Sequence, residues 1–222
     1  MAGDRNDYAL EAVKRYPTRF RIMGRIALQD PKSADLLPKW KEQLGMLGVR
    51  VIFNNTQTIP WLTDGTASWF WTAAEKAGLP VMCFAPGRTS LLGPIAEQHP
   101  QLTLILDHMG VTASMVKDNK VEEAIGQTVA LAKFPNVSVK LSASPSISRE
   151  PYPFRDVAVH IKRVFDAYGP QRSYWGTDMT NSYAKASYRQ RISHFTEELS
   201  FLSEGDKDWV MGRAIVARLN WT

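Results

Sequence analysis

The sequence has one cysteine, Cys83, in 222 residues. That excludes an internal disulfide and fits a reducing compartment. No apolar run reaches about 18 residues, so no membrane span is expected. The opening Met1-Ala-Gly-Asp-Arg-Asn6 has no apolar core and does not read as a signal peptide; the expected address is the cytoplasm. There is no self-similar repeat, no low-complexity tract and no glycine-rich phosphate loop. Gly87 stands alone after a proline and Gly24 lies inside a strand, so nucleotide binding has little support. Basic residues are scattered: the densest run is Val13-Lys-Arg15, and the net charge is +5. Without a basic helix, a zinc-finger spacing or an RNA-binding aromatic signature, nucleic acid is not an expected partner. The small positive excess suits an anionic small molecule. No two histidines stand at a ligand spacing such as His-x-His, so a metal site does not follow from the residues themselves.

What is present is an ordinary globular composition, 44% hydrophobic and 22% charged, arranged as alternating apolar runs and helical stretches. The expected strands are Phe20 to Ala27, Val49 to Phe53, Pro80 to Phe84, Leu102 to Leu106, Val137 to Leu141 and Ser173 to Trp175. Each is followed by a helical segment. Asp7 caps a helix through Tyr16. Leu37, Trp40, Leu44 and Leu47 keep helical spacing, with Gly48 as the stop. Further helices run from Thr63 or Asp64 to Ala77, Ser90 to Gln98, Val121 to Lys133, Phe154 to Tyr168 and Ser187 to Leu199. Ser203-Glu-Gly-Asp206 can box the start of a last one. Six short apolar strands bounded by turn signals suit a parallel sheet covered on both faces. One domain, residues 1–222, is expected, either an open doubly wound sheet or part of a (β/α)8 barrel.

In both architectures the strand ends share one rim, where chemistry collects. They offer Arg25, Asn54, Asn55, Arg88, His108, Ser142 and Asp178. A carboxylate facing a histidine can deprotonate water, and an arginine can hold a carboxylate by two parallel hydrogen bonds. Asp178 follows Ser173-Tyr-Trp-Gly-Thr177, where small residues let the chain leave the sheet; it reads either as a site carboxylate or as a helix N-cap. His108 is either a site residue or a histidine satisfied beside Asp107. Arg50 alternates with Val49 and Val51, and the outward orientation is preferred. Lys140 is ambiguous, and inward it would need a partner. Cys83 and the tryptophans at 69, 71 and 175 read as core. His99, His160 and His194 read as surface residues.

Gly78-Leu-Pro-Val-Met82, Leu104-Ile-Leu-Asp-His-Met-Gly110, Val137-Ser-Val-Lys-Leu-Ser142, Tyr174-Trp-Gly-Thr-Asp178, Met211-Gly-Arg-Ala214 and Arg218-Leu-Asn-Trp221 occur in the order seen in the amidohydrolase-related family. The chain resembles that family over nearly its whole length. The family belongs to the metal-dependent hydrolase superfamily and holds decarboxylases of the ACMS type and lactonases, including 2-pyrone-4,6-dicarboxylate lactonase. The resemblance implies a TIM-barrel-like (β/α)8 fold, N-terminally incomplete, with six strand–helix units. His108 would follow the sixth barrel strand and Asp178 the eighth. Asp178 would be general base or metal ligand, and His108 would line the site and stand as the other candidate ligand; a divalent metal such as zinc is the cofactor implied. Arg88, with Arg25, would hold a substrate carboxylate, beside Asn54 and Ser142.

Two departures temper this. The family's opening His-x-His strand has no counterpart: Gly3-Asp-Arg-Asn-Asp-Tyr8 resembles the entry to the helix after the family's second strand, so roughly 60 residues, at about 30 per unit, are expected to be lacking. Phe84 stands where the fifth barrel strand often ends in histidine. Three outcomes follow for the open edges: a displaced start at Met1, a homo-oligomer covering them, or a different closure. The leading expectation is a hydrolase of small carboxylated lactones or ring acids with Asp178 as base. The alternatives are a non-catalytic barrel remnant serving as an interaction subunit, and a zinc-dependent decarboxylase.

Overall fold

The computed structural model describes residues 5–221; the first residues of the Gly3–Tyr8 segment lie outside them. Six strands form one sheet in sequence order: β1 (Ile22–Gly24), β2 (Met46–Ile52), β3 (Val81–Phe84), β4 (Leu104–Leu106), β5 (Val137–Lys140) and β6 (Ser173–Tyr174). Every neighbouring pair is parallel. Strictly sequential parallel strands with intervening helices make an incomplete (β/α) barrel, with β1 and β6 at the sheet edges.

The alternation along each strand separates two cores. Val49, Val51, Val81, Cys83, Leu104, Leu106, Val137 and Val139 join the large cluster that includes the helical residues Phe70, Ile125, Ile161 and Val164. Met82, Ile105 and Tyr174, on the other face, form a smaller cluster with Ala214 and Leu219. The C-terminal helix, Ala214–Leu219, therefore fills the concave side, and the Trp175 amide anchors it by donating to the Val210 carbonyl (2.8 Å). Each fully buried aliphatic or aromatic side chain contributes about 1.5–3 kcal/mol. Cys83 is a core residue whose thiol burial pushes far above its ordinary pKa. The Ser203 box is present, the Ser203 hydroxyl accepting from the Asp206 amide (3.2 Å).

Three local expectations are corrected. The 37–47 stretch is not an α-helix: Pro31–Glu42 makes successive 3-10 turns. Pro38 lacks the amide an α-helix needs and its ring blocks the ladder, and Leu37 and Trp40 are buried at the three-residue spacing of the tighter helix. Gly48 is not a stop but part of β2, where a Cβ would meet the Pro80 carbonyl at 2.3 Å. The turn before the strand is at Gly45, with φ +75°. Finally, His194 is not on the surface. It is 1% exposed, between the rings of Phe154 and Phe195, because the helix Tyr188–Ser193 continues as a π-turn over His194–Glu198 that rotates the ring inward.

Burial pushes the His194 pKa down to about 4, against weaker upward pulls from the Pro153 carbonyl and Glu198. Between pH 6.5 and 4 the unfolded chain binds a proton that the folded chain refuses. Stability is therefore present above this window and falls as pH falls through it, by about 3 kcal/mol in full. The urea midpoint should drop between pH 7 and pH 4.5, and His194→Phe should flatten that drop.

Candidate active site

The site begins with a turn that the backbone resists. After β4 the chain runs Asp107-His-Met-Gly110, and His108, Met109 and Gly110 are all left-handed, at φ 55°, 54° and 71°. For histidine and methionine this conformation costs roughly 1–2 kcal/mol each, so it needs outside support. Gly110 is required on a second count: a Cβ there would lie 2.7 Å from the Thr89 methyl. The Thr128 hydroxyl donates to the Met109 carbonyl (2.8 Å), and the Gly87 amide donates to the Gly110 carbonyl (3.0 Å).

The strongest support is Asp107. Its side chain is 0% exposed, and each oxygen meets a cation. Arg50 Nε on β2 donates to Oδ2 (2.6 Å) and Lys140 Nζ on β5 donates to Oδ1 (2.9 Å). Burial alone would raise the Asp107 pKa; Lys140 and Arg50 override it and hold the carboxyl well below the usual range. The expected outward orientation of Arg50 is thus corrected. Val49 and Val51 face the helical layer, where a guanidinium would be buried among apolar groups, so alternation sends Arg50 to the concave side. Lys140 also points inward, to the partner it requires.

This turn delivers His108 to the cavity. Its Nδ1 shares a hydrogen bond with Ser142 Oγ (2.7 Å), and its Nε2 lies 3.7 Å from Asp178 Oδ1. The Phe84 ring stands edge-on to it, centroids 5.3 Å apart. Burial lowers the His108 pKa, Lys140 and Arg50 push the same way, and Asp107 and Asp178 pull it up; the net direction is down, toward a neutral imidazole. Asp178 is itself left-handed, at φ 45°. It occupies the N-cap position of the helix Met179–Ser182, yet its side chain makes no capping bond. Instead Oδ1 accepts from Asn181 Nδ2 (2.6 Å). The 3.7 Å gap between carboxylate and imidazole exceeds a hydrogen bond and leaves both with capacity for a third group.

Arg50, Asn54, Phe84, His108, Asp178, Asn181 and Lys185 line one cavity of about 540 Å³. Ser142 stands behind His108 as its hydrogen-bond partner. Asn55 does not line this cavity: its Oδ1 accepts from Gln57 and Thr58 in a local turn. Arg88 is exposed and donates to the Pro86 carbonyl (3.3 Å), and Arg25, whose main chain is bonded to Asn6, is also outside the lining. In place of Arg25 and Arg88, the cations brought to the cavity are Arg50 and Lys185. The Val49-x-Val51-x-Phe53 alternation puts Arg50 on the face opposite these apolar residues, and the helices packed on Val49 and Val51 decide which face that is. Asn181 was detectable as the position three residues after Asp178, one helical turn on.

Among the described residues no group of three or more His, Cys, Asp or Glu side chains could hold a metal ion. His108 and Asp178 are two donors, Phe84 supplies none, and a catalytic zinc site takes three protein ligands. These residues do not make a complete metal site.

The amidohydrolase family model matches residues 1–215, and the chain belongs to that family. It is 31% identical over 190 residues to 4-sulfomuconolactone hydrolase of Hydrogenophaga intermedia, covering 81% of this chain and 57% of that protein. The chain spans about half the length of the curated relatives it matches. Among solved structures, an amidohydrolase from Burkholderia multivorans with bound zinc superposes with a TM-score of 0.83 at 20% identity, covering 97% of this chain and 78% of that one. A protein assigned as a 2-pyrone-4,6-dicarboxylic acid hydrolase from Acinetobacter baumannii, with citric acid bound, superposes at 0.78 and 19% identity, covering 99% and 80%. At these identities the superpositions show the fold alone.

The buried ion cluster makes a stability prediction. Lys140→Met leaves one oxygen of a fully buried carboxylate without its cation and should cost about 3 kcal/mol, read as a lower urea midpoint. Adding Asp107→Asn should not recover that loss, because Arg50 is then left without its counter-ion.

Proposed function

We propose that this chain carries the site of a hydrolase that opens small carboxylated lactones or related ring acids, with Asp178 as the general base. One observation carries the reading. The Asp178 carboxylate, 11% exposed, is free of capping duty and faces the His108 imidazole across a gap too wide for a direct bond, on a cavity large enough for a small ring acid. The likeness to a sulfomuconolactone hydrolase supports the substrate class.

Asp178 Oδ1 is held by Asn181, and Oδ2 takes the proton of a water. That water's oxygen bonds to the lactone carbonyl carbon. His108, neutral and oriented by Ser142, donates from Nε2 to the carbonyl oxygen as it gains charge. The ring C–O bond then breaks, and the proton held on Asp178 passes to the leaving oxygen, giving the open-chain acid. Arg50 bonds Asp107 through Nε alone, which leaves its terminal nitrogens for a substrate carboxylate or sulfonate. The Arg50–Asp107–Lys140 cluster carries one positive charge in excess, a favourable setting for an anion. Lys185, on the cavity lining, adds a second cation, and Asn54 a neutral polar contact.

Acid release from 4-sulfomuconolactone and from 2-pyrone-4,6-dicarboxylate, followed by pH-stat, tests this. With the substrate that is opened, Asp178→Asn should lower kcat about 10²–10⁴-fold with KM little changed. Arg50→Lys should keep the pairing with Asp107 and raise KM about tenfold or more. Absence of turnover on both lactones, or full activity in Asp178→Asn, would overturn the proposal.

A further inference from the structure

Arg191 is 3% exposed and forms no ion pair among the described residues, although the Asp178 carboxylate acts on it electrostatically. Burial disfavours its charge, so what the guanidinium holds matters. It sits one turn into the helix Tyr188–Ser193, whose start is fixed by the reciprocal bonds of Ser187 and Gln190. From there the fork reaches back. Nη1 donates to the Thr177 carbonyl (2.9 Å) and to Ser182 Oγ (2.8 Å), and Nη2 donates to the carbonyls of Ser182 and Ala186 (3.2 Å to the latter). The Ser182 hydroxyl in turn donates to the Asp178 carbonyl (3.1 Å). Asp178 is thus gripped on both sides, through the carbonyl before it and, by way of Ser182, through its own. A left-handed aspartate is a conformation that persists only when its surroundings over-determine it, and this grip does so.

We infer that Arg191 is the positioning residue for Asp178: its guanidinium closes the 177–186 excursion that carries Asp178, Asn181 and Lys185 over the cavity, and so fixes where the candidate base stands. This rests on the reading of Asp178 as the base. A planar fork is needed because an ammonium cannot reach these acceptors together. Trp175 Nε1, donating to the Arg191 carbonyl (3.1 Å), ties the helix to the end of β6 and gives the clamp a fixed base.

The test uses the whole chain with Arg191→Ala, Arg191→Lys and Asp178→Asn. Hydrogen–deuterium exchange is followed on peptides covering 177–186 and on peptides covering β3 to β5, and turnover is measured on the lactones named above. Arg191→Ala should raise exchange in 177–186 about tenfold or more while the sheet peptides hold. Its kcat should fall about 100-fold, more than KM changes. Free guanidinium, far below unfolding concentrations, should reverse both effects. If Arg191→Ala does not fold, Arg191→Lys carries the same expectation. Asp178→Asn should lower kcat about 10²–10⁴-fold and leave exchange unchanged. Unchanged exchange in both Arg191 variants, a rise shared equally by the sheet, or raised exchange with unaltered kcat would each overturn the inference. If the wild-type chain opens neither lactone, the proposed function fails, while exchange and its rescue by guanidinium still decide the clamp.

Discussion

A fully buried carboxylate between two cations from different strands organises the concave side of this sheet. Asp107 at the end of β4 reaches Arg50 on β2 and Lys140 on β5, so one side chain ties together strands that are not all direct neighbours. Taken singly, none of the three belongs in a dry interior. Together they cancel most of one another's cost, and they do so directly beneath the left-handed turn that holds His108. The energy that keeps His108 in an unfavourable backbone conformation comes from this cluster and from the Thr128 and Gly87 bonds around it. A site residue held this way has little freedom to relax, as a preorganised group requires.

The two faces of the sheet are unequal for a related reason. The helix-facing side is a continuous apolar layer of Val, Leu and Ile. The concave side is apolar where Met82, Ile105 and Tyr174 meet Ala214 and Leu219, and polar where Arg50, Asp107 and Lys140 cluster. The C-terminal helix fills the first region, and the second remains open as the cavity. Asp178 and its neighbours come in over that opening from the last strand. The excursion that bears them is anchored on its far side by Arg191, so the two halves of the candidate site are fixed by two independent polar devices.

Much of this was legible in the sequence. The six strands and their order follow from short apolar runs bounded by turn residues, and the strand-end rule brings His108, Ser142, Asn54 and Asp178 into one neighbourhood. Arg50 was less legible, because Val-Arg-Val alternation does not say which face is apolar. That depends on the helices covering one side, a property of the assembled fold. Arg25 and Arg88 sit near strand ends in sequence but do not line the cavity, a distinction that residue type does not encode. His194 was hidden by a π-turn, which shifts the helical period by one residue within an otherwise regular pattern. Arg191 carried no signal beyond being one more arginine on a helix; its role exists only once the chain after Asp178 has folded back onto it.

The measurement closest to the centre of this account is the fate of solvent oxygen. With the chain and 4-sulfomuconolactone in water enriched in oxygen-18, the ring-opened product should carry one labelled oxygen, in the new carboxylate, since water activated at Asp178 adds to the carbonyl carbon. Consumption of the lactone with no label in that carboxylate would contradict it.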